Sequence, residues 1–339
     1  MTNRLELNWD LDGFVDEQRY YCSETPIDPL NLPTHKAILD GDVRTYSDTD
    51  IALGKTYYIR VGSVKNGIEK VSNEIERLAG NAWSPLNINP VFLLDDESSV
   101  TSQSGFVALW GSRSSNYFFG QSNQSNKPLV VDDSLNGKRA IRFDGVNDVL
   151  FNNTADLRGS LSNKQHAAVF GVFKHNNSSG GVLSAVTNND GGSRFTVGVS
   201  SSTLDIYARR LDSNSESSRS IPSASGWMMF MQKIDFSTGR LETYINGVLV
   251  DFVDSFVTSG NVSTTLSDRP LSIGAYPNGV GDNPASGANL SIDIASYFLL
   301  DKLVLTSDID KCFGYAAHKY GLADLLHASH PYKNLVPVL

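Results

Sequence analysis

Thr243-Tyr244-Ile245-Asn246-Gly247-Val248-Leu249-Val250 sets two short runs of β-branched, aromatic and aliphatic residues on either side of an Asn-Gly pair. Asn and Gly tolerate the left-handed backbone that a type I′ turn requires at both central positions, so the stretch predicts a tight hairpin. Working outward, further strand-like runs follow one another: Leu129 to Asp132, Ala140 to Phe143, Ala167 to Lys174, Phe195 to Val199, Leu204 to Arg209, Met228 to Asp235 and Leu271 to Ile273. So many strands with no helix between them predict a two-sheet sandwich from Val91 to about Leu305.

One segment near the end has helical spacing. Phe313, Ala316, Ala317 and Tyr320 fall at i, i+3, i+4 and i+7, with Thr306-Ser307 as the expected cap, Asp308 and Asp310 in the first turn and Gly321 as the terminator. The apolar stripe is expected to pack on the sandwich.

The first 79 residues also alternate with period two: Leu5, Leu7 and Trp9, then Tyr57, Ile59 and Val61 after the turn at Leu53-Gly54-Lys55. Asn66-Gly67 predicts a second hairpin, leading into a strand around Glu69 to Ile75. Gly80 to Pro90 has two prolines, three asparagines and no period, as a linker would. The expected domains are therefore 1–79, a linker at 80–90, and 91–339.

With 40% hydrophobic and 19% charged residues, 28 Gly and long Ser/Asn runs, the 339-residue chain reads as folded and strand-rich. Its net charge of −9 argues against nucleic acid or an anionic membrane as partner. No run has the roughly 18 apolar residues of a membrane span, and Met1 to Asp10 lacks the apolar core of a signal peptide, so the chain is expected to be made in a cytoplasm. Cys22 and Cys312 belong to no CxxC or Cys/His cluster and are expected as free thiols.

Two resemblances add to this reading. The early Trp9, the Leu53-Gly54-x-x-Tyr57-Tyr58-x-x-Val61 stretch and Ser72-Asn73-Glu74 resemble a fibronectin type III domain. The resemblance implies Trp9 on the second strand and Tyr57 or Tyr58 as the corner tyrosine. Only eight residues precede Trp9, too few for that family's first strand. An edge left open in this way invites a partner chain, or else is covered by a loop.

The larger domain resembles the concanavalin A-like lectin/glucanase superfamily in its laminin G-like form, as found in phage tail proteins. Three stretches carry this: Leu135-Asn136-Gly137-Lys138-Arg139-Ala140-Ile141-Arg142-Phe143-Asp144-Gly145-Val146-Asn147-Asp148; the hairpin at 243–250; and Gly314 to Leu322 followed by Ser329-His330-Pro331-Tyr332. The resemblance implies a small fibronectin-like sandwich followed by a larger jelly-roll sandwich with one C-terminal helix. It also implies a virion protein of the tail, baseplate or fibre. The smaller domain would hold other virion proteins, the larger would meet a host cell-surface glycan, and the chain would be a homo-oligomer in the particle. A structural decoration protein of capsid or tail, or a glycan hydrolase, are the alternatives.

Catalysis finds little support in the sequence. A retaining glycosidase needs two carboxylates about 5–5.5 Å apart, and the glucanase pattern Glu-x-Asp-x-x-Glu does not occur; Asp293 has no neighbouring glutamate. There is no G-x-S-x-G elbow, and the histidines have no metal-ligand spacing. Sugar binding pairs an aromatic platform with polar loop donors, which selects Tyr276 with Asn278, and Tyr117 with Phe118, as candidate glycan-binding residues. Trp110 and Tyr207 are expected in the core. Asp144 with Asp148, and Asn188 with Asp190, lie in oxygen-rich turns of the kind that can hold calcium, although such turns also form without any ion.

Overall fold

The computed structural model describes residues 4–175, 181–187, 192–200, 202–223, 225–278, 283–285 and 289–339. It is 45% strand and 9% helix. The chain divides into two compact units, 1–83 with 334–339, and 84–333. The tail from 334, assigned from sequence to the larger domain, therefore belongs to the smaller unit, where Val336 N–H donates to Gly54 O and Ala82 bridges Val338. The linker stretch is ordered too: Trp83 N–H donates to Pro337 O, and Pro85–Ile88 forms a 3-10 turn.

Unit 1 holds β1 (Leu5–Asn8), β2 (Glu17–Ser23), β3 (Ala37–Asp40), β4 (Thr45–Asp48), β5 (Thr56–Lys65), β6 (Ile68–Val71) and β7 (Ile75–Leu78). β1 and β4 form a two-stranded sheet; β3, β2, β5, β6 and β7 form a second, with β6 and β7 both on β5. Asn66 and Gly67 take positive φ at the β5–β6 turn, as the Asn-Gly pair predicts. Leu5, Tyr20, Tyr57 and Ile59 make the core. Tyr57 Oη accepts the Ala52 amide at 2.8 Å, pinning the chain before β5. Trp9 lies just past β1, its indole donating to Gln18 Oε1 at 2.6 Å.

In unit 2 the strands are β8 (Phe92–Leu94), β9 (Val100–Gln103), β10 (Phe106–Gly111), β11 (Phe118–Gly120), β12 (Leu129–Leu135), β13 (Lys138–Asp144), β14 (Leu150–Asn152), β15 (His166–His175) and β16 (Gly181–Thr187). They continue with β17 (Ser193–Val199), β18 (Thr203–Ala208), β19 (Ser217–Pro222), β20 (Gly226–Asp235), β21 (Arg240–Ile245), β22 (Val248–Val253), β23 (Leu271–Ile273) and β24 (Ser291–Leu300). One sheet runs β22-β21-β20-β15-β24-β13-β12, with β8 beside the end of β24; the other runs β19-β18-β17-β16-β23-β14-β11-β10-β9. Among the described residues a single pairing, Phe106 with Leu129, joins them. Alternation sends Val169, Phe173, Phe230 and Tyr297 from the first sheet, and Val197, Ile206, Ile273 and Trp110 from the second, into one core.

The middle of the first sheet's outer face is buried as well. There Phe170 stacks on Phe298 and meets Phe313 of the terminal helix edge-on, at 5.2 Å. A four-residue turn, α1 (Ala155–Arg158), precedes that helix, α2 (Thr306–Lys319). Phe313, Ala316, Ala317 and Tyr320 of the predicted stripe are all buried. The cap differs from expectation: Leu305 is the N-cap, and Thr306 and Ser307 lie inside the first turn.

The three stretches that carry the larger resemblance touch one another. A side chain at Gly247 (φ +82°) would run 2.7 Å from the His330 ring, and one at Gly321 (φ +66°) 3.0 Å from the Asn136 amide. Each glycine serves twice, reversing the chain and admitting a polar side chain from a distant stretch. His318 in α2 hydrogen-bonds Tyr332 O through Nε2 at 2.9 Å, fixing the Ser-His-Pro-Tyr tail to the helix.

Candidate functional site

Tyr276, chosen as a loop platform, is half-buried, with its hydroxyl 3.3 Å from Ser193 Oγ. Burial pushes its phenol pKa up, and Ser193 moderates the shift. Asn278 is tied by its backbone to Asn283, whose side chain accepts from Asn126 Nδ2. Tyr117 packs partly into the core, while Phe118 stands 49% exposed on β11. The cross-strand row Gly120, Phe151, Ser272 places these pairs apart: Phe118 lies two residues to one side of it and Tyr276 four residues beyond the other. The four candidates therefore do not form a single platform. Trp110 is in the core as expected, whereas Tyr207 is half-buried on β18.

Asp144 and Asp148 do meet. Asp144 Oδ1 accepts the amides of Val146 and Asn147, and Asp148 Oδ2 accepts the Asp144 amide at 2.9 Å. These are bonds of a self-capped turn, which spends carboxylate oxygens on backbone N–H groups. Among the described residues no group of three or more His, Cys, Asp or Glu could hold a metal ion. Asn188 and Asp190 lie outside the described residues.

The turn has a measurable consequence. Burial pushes the Asp148 carboxyl up to about 7; the Asp144 charge adds to this, while the backbone hydrogen bond opposes it. The folded state thus keeps a proton that the unfolded chain loses near pH 4, so this group's contribution to stability is fully present below pH 4 and is lost as pH rises through about 7. Asp148→Asn keeps an acceptor and cannot ionise. Urea unfolding should show the variant gaining about 2–4 kcal/mol relative to the parent between pH 4 and 8. Parallel curves for the two proteins would contradict this.

Asp293, the one strand carboxylate considered for hydrolysis, is 1% exposed and held by Arg142 in a two-pronged ion pair of 2.7 and 2.8 Å. An acid so paired is committed to its arginine.

A cleft the sequence did not reveal lies where three loops of unit 2 converge, those following β18, β20 and β22. It measures about 450 Å³ and is lined by Arg209, Arg210, Asn214, Ser215, Ser217, Thr238, Ser255, Phe256, Val257, Thr258 and Ser259. Phe256 and Val257 are mostly buried, at 7% exposure each. Arg210 organises the rim: its Nε donates to Thr258 Oγ1 at 3.0 Å and its Nη1 to Asn261 O at 3.1 Å. Thr258 in turn donates to Asn214 Oδ1, which also accepts the Leu211 amide. Arg210 Nη2 and Asn214 Nδ2 are left without a partner among the described residues, available to a ligand. No contiguous motif could have signalled this site, because its hydroxyls come from Ser/Thr runs that read as turn formers.

No family model and no curated protein matches the chain. Solved structures with a similar fold include the botulinum neurotoxin serotype D binding domain, at 11% identity and a TM-score of 0.46 over 67% of this chain and 51% of that one. Another is the binding domain of botulinum neurotoxin DC in complex with rat synaptotagmin II, at 15% identity and a TM-score of 0.40, covering 67% of this chain and 52% of that one. A third is the CBM40 of a Ruminococcus gnavus IT-sialidase bound to α2,3-sialyllactose, at 13% identity and a TM-score of 0.35, covering 43% and 80%. The chain spans about half the length of the toxin domains it matches. At these identities the likeness is one of β architecture alone. No described helix is long and apolar enough to cross a membrane.

Proposed function

We propose that the chain is a non-enzymatic adhesion protein of a phage particle, at the tail, baseplate or fibre. Unit 1, fibronectin III-like, would anchor it to other virion proteins, and unit 2 would bind a host-surface glycan. The observation that carries the binding part is the composition of the 450 Å³ cleft: six Ser/Thr hydroxyls, one Asn and two Arg around Phe256 and Val257, with no carboxylate in its lining. Hydroxyl and amide groups over an apolar base suit a sugar ring, and its size falls within the ~300–1,000 Å³ of small-ligand sites. Hydrolysis would need carboxylates there. Arg210, whose Nη2 has no partner among the described residues, favours glycans that carry acidic groups. Support for the anchor comes from the pairing of β1 with β4, of β2 with β3 and β5, and from the Tyr57 corner.

The test is an array of host-surface polysaccharides probed with the whole chain. Arg210→Ala is expected to weaken binding about tenfold or more, the scale of one lost charge-assisted hydrogen bond. No binding by the parent, or release of reducing sugar, would overturn the reading.

A second reading, a structural component packed against further subunits, is favoured by the edge strand β22. Among the described residues it pairs only with β21, and it exposes Val248, Leu249, Val250 and Phe252. Under that reading the chain forms homo-oligomers through this edge.

A further inference from the structure

The smaller unit has an open seam. Among the described residues β1 pairs with β4 alone, and Trp9 N–H donates to Arg44 O, so Leu5, Leu7 and Trp9 direct their backbone groups toward β4. By the two-residue period, the amides and carbonyls of Glu6 and Asn8 face the unpaired side. Across from that edge, the sheet face that supplies Ile59 to the core continues through Val61, Ile68 and Ile75, since Ile59 pairs with Ile75 and Lys65 with Ile68. Ile59 is 5% exposed, yet Ile75 and Ile68 on the same face are 60% and 69% exposed. The two sheets thus enclose a core at one end and stand open at the other. The opening is a groove of about 1340 Å³, bordered by β1, Leu7 to Phe14 and the faces of β5 to β7. It exceeds the ~300–1,000 Å³ of ordinary small-molecule sites.

Its charge is distinctive for a chain of net charge −9. Arg4, Arg60, Lys65, Lys70 and Arg77 line it, against Glu6, Asp10 and Asp12. Arg4 is paired with Glu6, and Arg60 lies 3.7 Å from Glu74. Lys65, Lys70 and Arg77 have no ion pair among the described residues, and they flank the exposed Ile68 and Ile75.

From the free edge, the uncovered isoleucines and the three unpaired cations together, we propose that the groove receives an extended segment of another polypeptide, which adds to β1 as a strand. Because Ile68, Ile75, Lys65, Lys70 and Arg77 share one sheet face, the groove-facing side chains of that strand, every second residue, would alternate between apolar ones covering Ile68 and Ile75 and acidic ones meeting Lys65, Lys70 and Arg77. This deepens the anchoring role proposed above and rests on it for biological context, though not for its test.

The test uses the full chain and the synthetic peptide acetyl-Thr-Glu-Thr-Val-Thr-Glu-Thr-Ile-Thr-amide, whose Glu, Val, Glu and Ile share one face of an extended strand, with a second peptide in which Lys replaces every Glu. Hydrogen exchange should show the Glu6 and Asn8 amides slowed about tenfold or more by the acidic peptide, with the lysine peptide binding at least about tenfold more weakly. Ile75→Asp should weaken acidic-peptide binding by a similar factor while leaving the thermal midpoint unchanged, because Ile75 is already exposed. The proposal fails if millimolar acidic peptide leaves those amides unprotected, or if the lysine peptide binds equally well. It also fails if the same amides are protected by self-association of the chain without peptide. An anchor that used a different surface would leave the peptide unbound while the chain still sat in a particle, and glycan binding by unit 2 is unaffected by either result.

Discussion

Lys319→Met is expected to lower the unfolding free energy by about 3–5 kcal/mol, the scale of removing one partner from a buried charge network. The side chain of Lys319 is 8% exposed, and its ammonium reaches Asp95 at 3.1 Å, Asp96 at 2.8 Å and Glu97 at 2.9 Å. These three carboxylates holding the charge outweigh the cost of burial and raise its pKa above the usual lysine value. Asp95 is 2% exposed and its remaining cation is Arg113, at 2.7 Å; Asp96 keeps the Tyr320 hydroxyl at 3.1 Å. Methionine would fill the lysine's volume but leave two buried carboxylates undercompensated at the point where α2 meets the end of β8. Urea denaturation of parent and variant at pH 7 checks this. A loss below about 1 kcal/mol, the value of an exposed pair, would show the network to be peripheral.

The second large effect joins stability to the cleft. Arg194, on β17, is 0% exposed. Its Nε and Nη2 donate to Asp212 at 3.0 and 2.8 Å, Nη1 donates to Thr265 O at 2.8 Å, and Nη2 also reaches Thr265 Oγ1 at 2.7 Å. Asp212 stands between Arg210 and Asn214, so this buried guanidinium fixes the loop that carries two rim residues of the cleft. Arg194→Leu should cost about 3 kcal/mol or more and abolish the glycan binding proposed for the cleft even where the variant remains folded. Asp212→Asn, which keeps an acceptor for the arginine, should lose less of both. Binding unchanged in a folded Arg194→Leu protein would mean that the loop holds its shape without the clamp.

How much of this could be read from the chain depends on whether a signal is local. The Asn-Gly hairpins at 66–67 and 246–247 and the stripe of α2 were legible, because turn chemistry and periodicity are properties of neighbouring residues. Cys22 and Cys312 are free thiols, as their isolation suggested. The helix start was misplaced by the pull of Thr306 and Ser307, residues favoured at caps but used here inside the turn, after Leu305. Tyr276 looked exposed because Pro and Gly surround it in sequence; its burial comes from Ser193 and its neighbours on a strand far away in the chain. The cleft was invisible for the same reason. Arg210, Thr238 and Thr258 belong to three separate loops, and only the sheet order brings them together.

The return of residues 334–339 to the smaller unit has a consequence for the timing of synthesis. Residues 1–83 emerge first, but Gly54 and Ala82 must wait for Val336 and Val338, with the 250 residues of 84–333 made in between. At roughly 5–20 residues per second, that interval is about 12–50 s. During it the nascent smaller unit carries unmet backbone groups at Gly54 and Ala82 in addition to the free edge of β1. Newly made chains are thus most prone to sticking to one another before residues 334–339 appear, and a nonsense codon just short of residue 334 would extend that vulnerable stage indefinitely.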